Sequence, residues 1–457
     1  MPETTTHSTH PSERLDPAVR KLAGILVLGA LAPLLDSTIV SIALHTLGHD
    51  LNASTASLQW VSTAYLLALA TVVPVSGWAV ERFDSRRVWL GALALFLAGS
   101  LLCGLAWNIG SLIAFRVVQG IGGGLLLPVL QTLVMRAAGG RGLGRLMAAI
   151  TLPVMVVPIL GPVVGGLIVG HLSWRWIFYV NLPVCLLALA LAWRGVPKDT
   201  ARPGHHLDLT GLLLLSPGLA TLVYGLSETG AARATAIPVG AVLIALFTRH
   251  ALRVREPLVD LRLFKDRAFA VSSILTFLNG LALFGGMFLL PLYYQQARGE
   301  GVIAAGLLLA PQGLGSLLAR VTGPLTDRLG PRPVTVAGML LCALGTLPFL
   351  LPHPGAALLL VALVVRGLGV SAANMAVMVG AYQRLDRARI PHASTTVRIV
   401  QQVGGSVGTA VLATVLARGH GTSAFSHAFA WATAFTVVAC LVGLCLPVRV
   451  ASAERPS

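Results

Sequence analysis

Charged residues are scarce in this sequence, at 11% of its 457 positions. Soluble globular domains carry about 25% charged residues, so the sequence falls outside that class. Only three lysines are present, and none stands in a G-x-x-x-x-G-K-[ST] phosphate-binding loop, which excludes a nucleotide-driven pump within this chain. Metal-ligand spacings and Ser/His/Asp or Cys/His sets are lacking as well, so we expect no enzyme activity, no cofactor and no metal site.

Apolar runs are what the sequence has in abundance, with 55% hydrophobic residues and a mean hydropathy of +0.81. Runs of roughly 20 residues recur along the whole length, and each is long enough to cross a bilayer as a helix. The sequence therefore predicts an all-α membrane protein. We expect fourteen transmembrane helices, near 22–44, 58–80, 88–107, 110–135, 146–170, 174–193, 209–228, 235–251, 268–294, 302–322, 333–351, 355–380, 395–417 and 425–447.

The net charge of +16 follows a topological pattern. Cytoplasmic loops of membrane proteins collect Lys and Arg, and with the N-terminus inside, all but eight of the 33 basic residues lie on the inner side. The eight are Arg175, Arg233, Arg298 and Arg418 outside, and Arg116, Arg320, Arg366 and Arg398 within spans. This asymmetry predicts a multi-pass cell membrane protein with both termini in the cytoplasm. The basic loops suit contact with anionic lipid, and we expect no nucleic-acid partner.

An internal repeat organises the chain. GWAVERFDSRRV (77–88) matches GPLTDRLGPRPV (323–334), 246 residues later, and VVQGIGGG (117–124) matches VVRGLGVS (364–371), 247 residues later. The copies run in the same direction, so the repeat is parallel, about an axis along the membrane normal. Because eight predicted spans separate the copies, we expect two six-helix halves with two helices inserted between them. The predicted divisions are a disordered cytoplasmic tail (1–19), an N-terminal six-helix bundle (20–196), two extra transmembrane helices (197–255), a C-terminal six-helix bundle (256–447) and a second cytoplasmic tail (448–457).

Five motifs occur in a fixed order along the chain. They are LLDSTIVSIAL in helix 1, GWAVERFDSRR after helix 2, RVVQGIGGG in helix 4, and GPVVGG and SWRWIFYVNLP across helices 5 and 6. With this combination the chain resembles the major facilitator superfamily, specifically its fourteen-helix drug–proton antiporter group of the EmrB/QacA type. The resemblance covers nearly the whole chain. It implies the major facilitator fold and secondary active export of amphiphilic, often cationic drugs by alternating access, in exchange for protons.

The segment after helix 2 resembles the superfamily motif G-x-x-x-D-R-x-G-R-R, and the resemblance implies a gating role. The matching residues are Gly77, Glu81, Arg82, Arg86 and Arg87, with Asp327 and Arg328 in the second copy. We expect Gly77 to permit a close approach of helices. Asp84 stands where the motif has Gly, at a turn suited to positive φ. The alternative is a solvated loop that only sets the topology.

Helix 5 carries the motif GPVVGG, whose residues are Gly161, Pro162, Gly165 and Gly166. Small residues allow close backbone packing, and a proline removes one helix hydrogen bond. By resemblance, this motif marks exporters that operate as antiporters. An ordinary tight helix crossing is the alternative.

Asp36 is the only carboxylate deep within a predicted span, where an unpaired charge is costly. It lies ~21 Å from the inner surface, because each residue adds 1.5 Å along a helix. Arg116 lies ~9 Å below the outer surface, which is a similar depth in a core ~30 Å thick. The two side chains should therefore pair or share a water-filled cavity. We predict that Asp36, with Arg116, loads a proton outside and releases it inside. The alternative is a static structural pair.

Further polar residues lie deep in the predicted spans and are candidates for a substrate cavity. They are Tyr65, Gln119, Asn279, Tyr293, Gln312, Asn374 and Gln401. Each is as well suited to an interhelical hydrogen bond as to contact with substrate.

Three functions remain open. The chain is a proton-coupled exporter of amphiphilic drugs, or the same machinery serves a narrow substrate such as an endogenous metabolite, an antibiotic, a siderophore or a lipid. A non-transporting receptor or scaffold on the same fold is the third. The expected partners are a small-molecule substrate, protons and membrane lipid, and we expect a functional monomer.

Overall fold

The computed structural model describes residues 17–138, 160–198, 207–228, 230–254, 257–383, 390–419 and 421–447. Within these ranges every regular element is a helix, as the apolar runs predict. In chain order the main helices are α1 (Pro17–Asp50), α2 (Thr55–Val72), α3 (Ser85–Gly104), α4 (Ile109–Ala138), α5 (Leu160–His171), α6 (Asn181–Gly195), α7 (Leu209–Ser227), α8 (Gly230–Arg253), α9 (Arg267–Leu292), α10 (Val302–Leu318), α11 (Pro331–Thr346), α12 (Ala356–Tyr382), α13 (Ile390–Arg418) and α14 (Gly421–Gly443).

Twelve of the described helices are long and apolar enough to span a membrane. The other two predicted spans correspond to α2 and α5. Pro74, which lacks a backbone N–H, separates α2 from a short helix, Val75–Phe83, so the predicted span is interrupted there. Of the predicted fifth span, only the part from Leu160 onward lies within the described residues. The count of fourteen spans therefore remains a prediction.

The helices pack as two bundles. In the first, α4 lies against α2 and α3, and α6 lies against α1 and α3. In the second, α12 lies against α10 and α11, and α9 lies against α13 and α14. The bundles meet where α2 packs on α13 and α1 packs on α9. The two inserted helices pair with each other, and α7 covers the seam between α2 and α13.

The apolar core differs between the two ends of the bundles. On the side opposite the N-terminus, one continuous cluster contains Leu44 and Leu58 of the first half together with Phe288 and Leu412 of the second. On the N-terminal side, the described residues of each half form their own buried cluster. A further cluster there connects α2 to α13 through Leu215 of α7. The halves are thus closed against each other on the side opposite the N-terminus.

Asp208 links the two inserted helices, α7 and α8, on the N-terminal side. Its carboxylate accepts hydrogen bonds from the backbone N–H groups of Gly211 (2.8 Å) and Leu258 (3.1 Å), and it lies 2.7 Å from His250 Nε2 on α8. Burial acts to raise the pKa of Asp208, but the hydrogen bonds from Gly211, His250 and Leu258 outweigh it and hold the pKa below its ordinary value. The ionised carboxylate therefore stabilises this corner of the fold.

Asp208→Asn should cost about 1–2 kcal/mol of stability at pH 7, because a neutral amide with one acceptor oxygen replaces an ionised carboxylate that serves three partners. Since the folded-state pKa is depressed, the stabilisation is complete above the ordinary aspartate pKa of about 3.9 and is lost as the pH falls through the folded value. Thermal unfolding in detergent should show a difference from wild type that shrinks on acidification. Asp260→Asn, at an exposed cap that accepts one backbone hydrogen bond which asparagine can also accept, is the control. A difference for Asp208→Asn that grows below pH ~4 would contradict this account.

Candidate functional site

Asp36 and Arg116 meet inside the N-terminal bundle. Asp36 on α1 is fully buried, and Arg116 on α4 has 1% of its surface exposed. Arg116 Nη1 donates a hydrogen bond to Asp36 Oδ2, which makes a buried ion pair. The similar depth calculated for the two residues thus corresponds to a direct contact.

Two amides complete the surroundings of the carboxylate. Gln119 Nε2 donates to Asp36 Oδ1 at 2.9 Å, and Asn181 Nδ2 donates to the same oxygen at 3.1 Å. Both amides also donate to Ser100 Oγ, at 2.8 and 3.4 Å. Within the described part of the chain, every side chain that hydrogen-bonds to the Asp36 carboxylate is the donor, and the carboxylate is the acceptor. This arrangement suits the ionised form, because an ionised carboxylate only accepts hydrogen bonds.

Arg116 is held from several sides. Its Nε donates to the Val61 carbonyl at 3.0 Å, and its Nη1 donates to Gln119 Oε1 at 2.6 Å. The guanidinium carbon lies 4.0 Å from the centroid of the Tyr65 ring, which is a cation–π contact. The Tyr65 hydroxyl donates to the Pro33 carbonyl at 3.3 Å. These contacts join α1, α2 and α4 around one buried charge.

A small cavity lies beside this network, between the two halves. Its volume is about 20 Å³, which is room for about one water molecule. α1, α2 and α4 line it from the first half, and α9 and α13 line it from the second. Arg116 and Tyr65 lie at its wall, and Asp36 lies behind Arg116. Binding pockets for drug-sized molecules have volumes of about 300 Å³ or more, so a substrate requires the halves to move apart.

Three of the predicted substrate residues meet in the second half. Asn279 Nδ2 on α9 and Gln401 Nε2 on α13 both donate to Asn374 Oδ1 on α12, at 3.1 and 3.0 Å. The residues that line the central cavity do not include this amide cluster. In this structure the cluster therefore joins three helices of one bundle.

The remaining predicted substrate residues have separate locations. Gln119 belongs to the Asp36 network, and Gln312 on α10 accepts a hydrogen bond from Arg366 Nη1 at 2.8 Å. Tyr293 follows α9, on the side opposite the N-terminus, and packs edge-on against Phe349 with ring centroids 5.4 Å apart. Of these predicted residues, Tyr65 is the one that lines the central cavity.

Asn181 and Ser100 are site residues that sequence reasoning missed. Asn181 begins α6, and Ser100 lies in the last turns of α3. Neither is charged, so neither stands out in an apolar segment as Asp36 does. The signal available for Asn181 was its place near the end of the motif SWRWIFYVNLP.

The small residues of the helix 5 motif lie where the two halves touch. Gly161 and Gly165 face α1, where a Cβ on either would collide with a side chain. Gly166 faces α10, where a Cβ would lie 2.9 Å from a backbone carbonyl oxygen. The Pro162 carbonyl in turn lies against Gly306 of α10, with no space between them for a Cβ. The motif therefore makes a second tight seam between the halves, beside that of α1 and α9.

Gly306→Ala should weaken closure on the side opposite the N-terminus, because the added Cβ would meet the backbone carbonyl of Pro162. Overpacking of this kind costs about 1–3 kcal/mol, which corresponds to a population shift of roughly 5- to 150-fold. In a cysteine-free background, maleimide added on that side should label Ser41→Cys in the cavity wall correspondingly faster. Gly301→Ala, where no described atom lies within 4 Å of the new Cβ, is the control. Equal labelling of the Gly306→Ala and Gly301→Ala proteins would contradict the expectation.

The two copies of the loop motif form short helices, Val75–Phe83 and Thr322–Leu329. Each is followed by a residue with positive φ, Asp84 at +81° and Gly330 at +87°. The turn that usually requires glycine is thus present in both copies, and in the first copy an aspartate adopts it.

The side chains of the loop motif are described in part. Arg86 donates to the Trp193 carbonyl and lies 5.5 Å over the centroid of its ring, which ties the start of α3 to the end of α6. Within the described residues no atom lies within 4 Å of a Cβ placed on Gly77, so the close helix approach expected there is not seen. The exposed members are Arg82, Arg87 and Arg328. The side chains of Glu81 and Asp327 lie outside the described part.

Solved structures of transporters share this architecture. The D-xylose–proton symporter superposes with a TM-score of 0.69 at 17% identity, covering 93% of this chain and 97% of that one. The nucleoside transporter NupG gives a TM-score of 0.66 at 14% identity, covering 94% and 99%. At such low identity these likenesses show the fold alone.

Sequence comparisons give the family. The chain is 42% identical over 435 residues to a multidrug resistance protein B homolog of Mycobacterium tuberculosis, covering 92% of this chain and 80% of that protein. It is 30% identical over 407 residues to the lincomycin resistance protein LmrB of Listeria monocytogenes, covering 87% and 86%. The family model described as Major Facilitator Superfamily matches residues 26–409 and 321–456. The chain therefore belongs to the major facilitator superfamily.

Proposed function

We propose that this chain exports amphiphilic drugs, often cations, across the cell membrane in exchange for protons. The names of its relatives, multidrug resistance protein B and lincomycin resistance protein, support drugs as the substrate class. The observation that carries the proposal is the Asp36–Arg116 ion pair at the wall of the cavity between the halves. Within the described residues it is the one ion pair in which both side chains are buried.

The contacts of Asp36 explain how proton and substrate would exclude each other. A proton on Oδ2 would set an O–H group against Arg116, and a proton on Oδ1 would set one against Gln119 and Asn181. Either proton would remove the charge that holds Arg116. Arg116 lines the cavity and Asp36 does not, so a cationic substrate in the cavity would replace Arg116 as the partner of Asp36. Proton and cation are therefore alternative partners of one carboxylate. The proton binds from outside and leaves to the cytoplasm, and the substrate moves in the opposite direction.

The network also couples Asp36 to the movement of the halves. Asp36 lies on α1, which packs against α9 of the second half and against the small-residue motif of α5. Because Arg116 and Tyr65 link the same helix to α4 and α2, loss of the ion pair loosens the first half beside both seams. We propose that this change permits the alternation between open sides, with the loop motifs acting as the gate.

The arrangement in the membrane follows the charge pattern of the sequence. We propose a cell membrane protein with both termini in the cytoplasm and with the divisions 1–19, 20–196, 197–255, 256–447 and 448–457 given above. We also propose that the functional unit is a monomer, because both walls of the central cavity come from the two halves of the same chain.

Transport in proteoliposomes tests the proposal. With an acidic interior, protons leaving through the protein should drive ethidium into the vesicles, and a protonophore should abolish the accumulation. A panel of unrelated drugs, tested in the same way, separates a drug exporter from a carrier of one metabolite. If no compound moves in response to the pH gradient, the proposed function is wrong.

A further inference from the structure

A second cavity, of about 330 Å³, lies on the side of the protein opposite the N-terminus. This volume reaches the range of small-molecule binding pockets, which begins at about 300 Å³. The cavity is formed by the end of α9, the connection between α11 and α12, and the start of α14. All of these segments belong to the second half, so the cavity is separate from the Asp36 network.

Aromatic rings form the floor of this cavity. Tyr293 and Phe349 line it with 6% and 1% of their surfaces exposed, and their rings pack edge to face. Tyr293 also contacts Phe425 and Phe429, at centroid distances of 5.8 and 5.4 Å. These rings belong to the continuous cluster that closes the two halves on this side. The floor of the cavity is therefore part of the closure.

The rim of the cavity is basic and polar. Arg298 and His353 line it, together with the hydroxyl-bearing Ser426. Arg298 Nη1 donates to the Pro354 carbonyl at 3.1 Å, which fixes the guanidinium against the loop before α12. None of the residues that line the cavity is acidic. A guanidinium above an apolar floor suits an acidic head attached to an aromatic or apolar body.

The backbone at this point is unusual. Tyr293–Ala297 form a π-helical turn, in which Arg298 N–H reaches the Tyr293 carbonyl at 3.1 Å. Single π turns within or at the end of α-helices occur frequently at functional sites. Here the wider turn separates Tyr293 on the floor from Arg298 on the rim, so that both side chains line one cavity.

We propose that this cavity is an outer binding site for an anionic amphiphile, which holds the protein closed on that side. The acidic group of the ligand lies at Arg298 and His353, and its apolar body lies on Tyr293 and Phe349. Tyr293 lines the cavity and also belongs to the apolar cluster that joins the two halves on this side. The ligand therefore binds the closed arrangement better than the open one. Occupation from outside should therefore slow transport.

Binding to the full-length protein in nanodiscs tests this site. The probe is 2-naphthalenesulfonate, a permanent anion, and its charge-reversed match is naphthyltrimethylammonium. We expect the sulfonate to bind and Arg298→Gln to weaken its binding roughly 10- to 100-fold, because hydrogen bonds to charged groups contribute that much. His353→Gln should weaken it less. Arg418→Gln, which removes another exposed arginine on the same side, should leave binding unchanged.

The outcome also identifies the source of the anion. If phosphatidylglycerol in the nanodisc competes with the sulfonate and phosphatidylcholine does not, the site is one for a lipid headgroup. If neither lipid competes, it is a site for a dissolved amphiphile. Equal binding of the sulfonate to the wild type and to the Arg298→Gln/His353→Gln double variant would overturn the proposal, as would tighter binding of the trimethylammonium probe. These measurements record binding and not transport, so the ethidium assay decides the proposed function independently of their outcome.

Discussion

Asp36→Asn should reduce proton-driven drug accumulation in proteoliposomes to the level of protein-free vesicles. Asparagine keeps the size of the side chain and still accepts a hydrogen bond from Gln119 or Asn181, but it carries no exchangeable acidic proton. Exchange of labelled for unlabelled drug needs no net proton movement and should persist. The measurement compares both transport modes in one preparation, normalised to folded protein.

Asp50→Asn is the matched control, because Asp50 is the other acidic residue of α1 and its side chain is 46% exposed. It should retain both transport modes. If Asp36 is only a structural partner of Arg116, folded Asp36→Asn protein will keep its response to the pH gradient. That result would remove Asp36 from the transport cycle.

Arg116→Gln should lower the stability of the protein by about 3–5 kcal/mol, because it leaves a buried carboxylate without its charge partner. Combination with Asp36→Asn should recover most of this loss, since two neutral amides can satisfy each other and the surrounding donors. The double variant should nevertheless remain uncoupled. Unfolding in increasing concentrations of SDS, followed by tryptophan fluorescence, measures the stability of all three variants.

Arg233→Gln controls for the removal of a positive charge, because Arg233 lies exposed on α8. It should unfold at the same SDS concentration as the wild type. A double variant that is no more stable than Arg116→Gln alone would show that the two side chains do not depend on each other. The coupling argued from their contact would then fail.

The pairing of Asp36 with Arg116 could be predicted because two opposite charges lie at the same depth among apolar helices and each needs a partner there. A helix rises 1.5 Å per residue, so position within a span gives depth directly. A lone charge in an apolar segment also has few acceptable locations, and the nearest charge at the same depth is its natural partner. The helical class could be predicted in the same way from the length of the apolar runs. The tight packing at Gly166 could be predicted because glycine has no side chain.

Depth does not say which way a side chain faces around its helix. Asn279, Asn374 and Gln401 are all deep, but helix packing brings them together in one hydrogen-bonded cluster, and none of them lines the cavity beside Arg116. Hydropathy likewise does not register the missing N–H of Pro74, so the predicted second span runs through the break after α2. Rotation and kinks depend on contacts between distant parts of the chain, which a single sequence does not contain.

Infrared difference spectroscopy tests the central claim most directly, because it detects the proton on the carboxyl group itself. On acidification the wild-type protein should show the C=O band of a protonated carboxyl group, and a cationic drug should diminish that band. The band should be missing from Asp36→Asn and present in Asp50→Asn. A drug-sensitive band that persists in Asp36→Asn would contradict the account, because the proton would then be carried by another group.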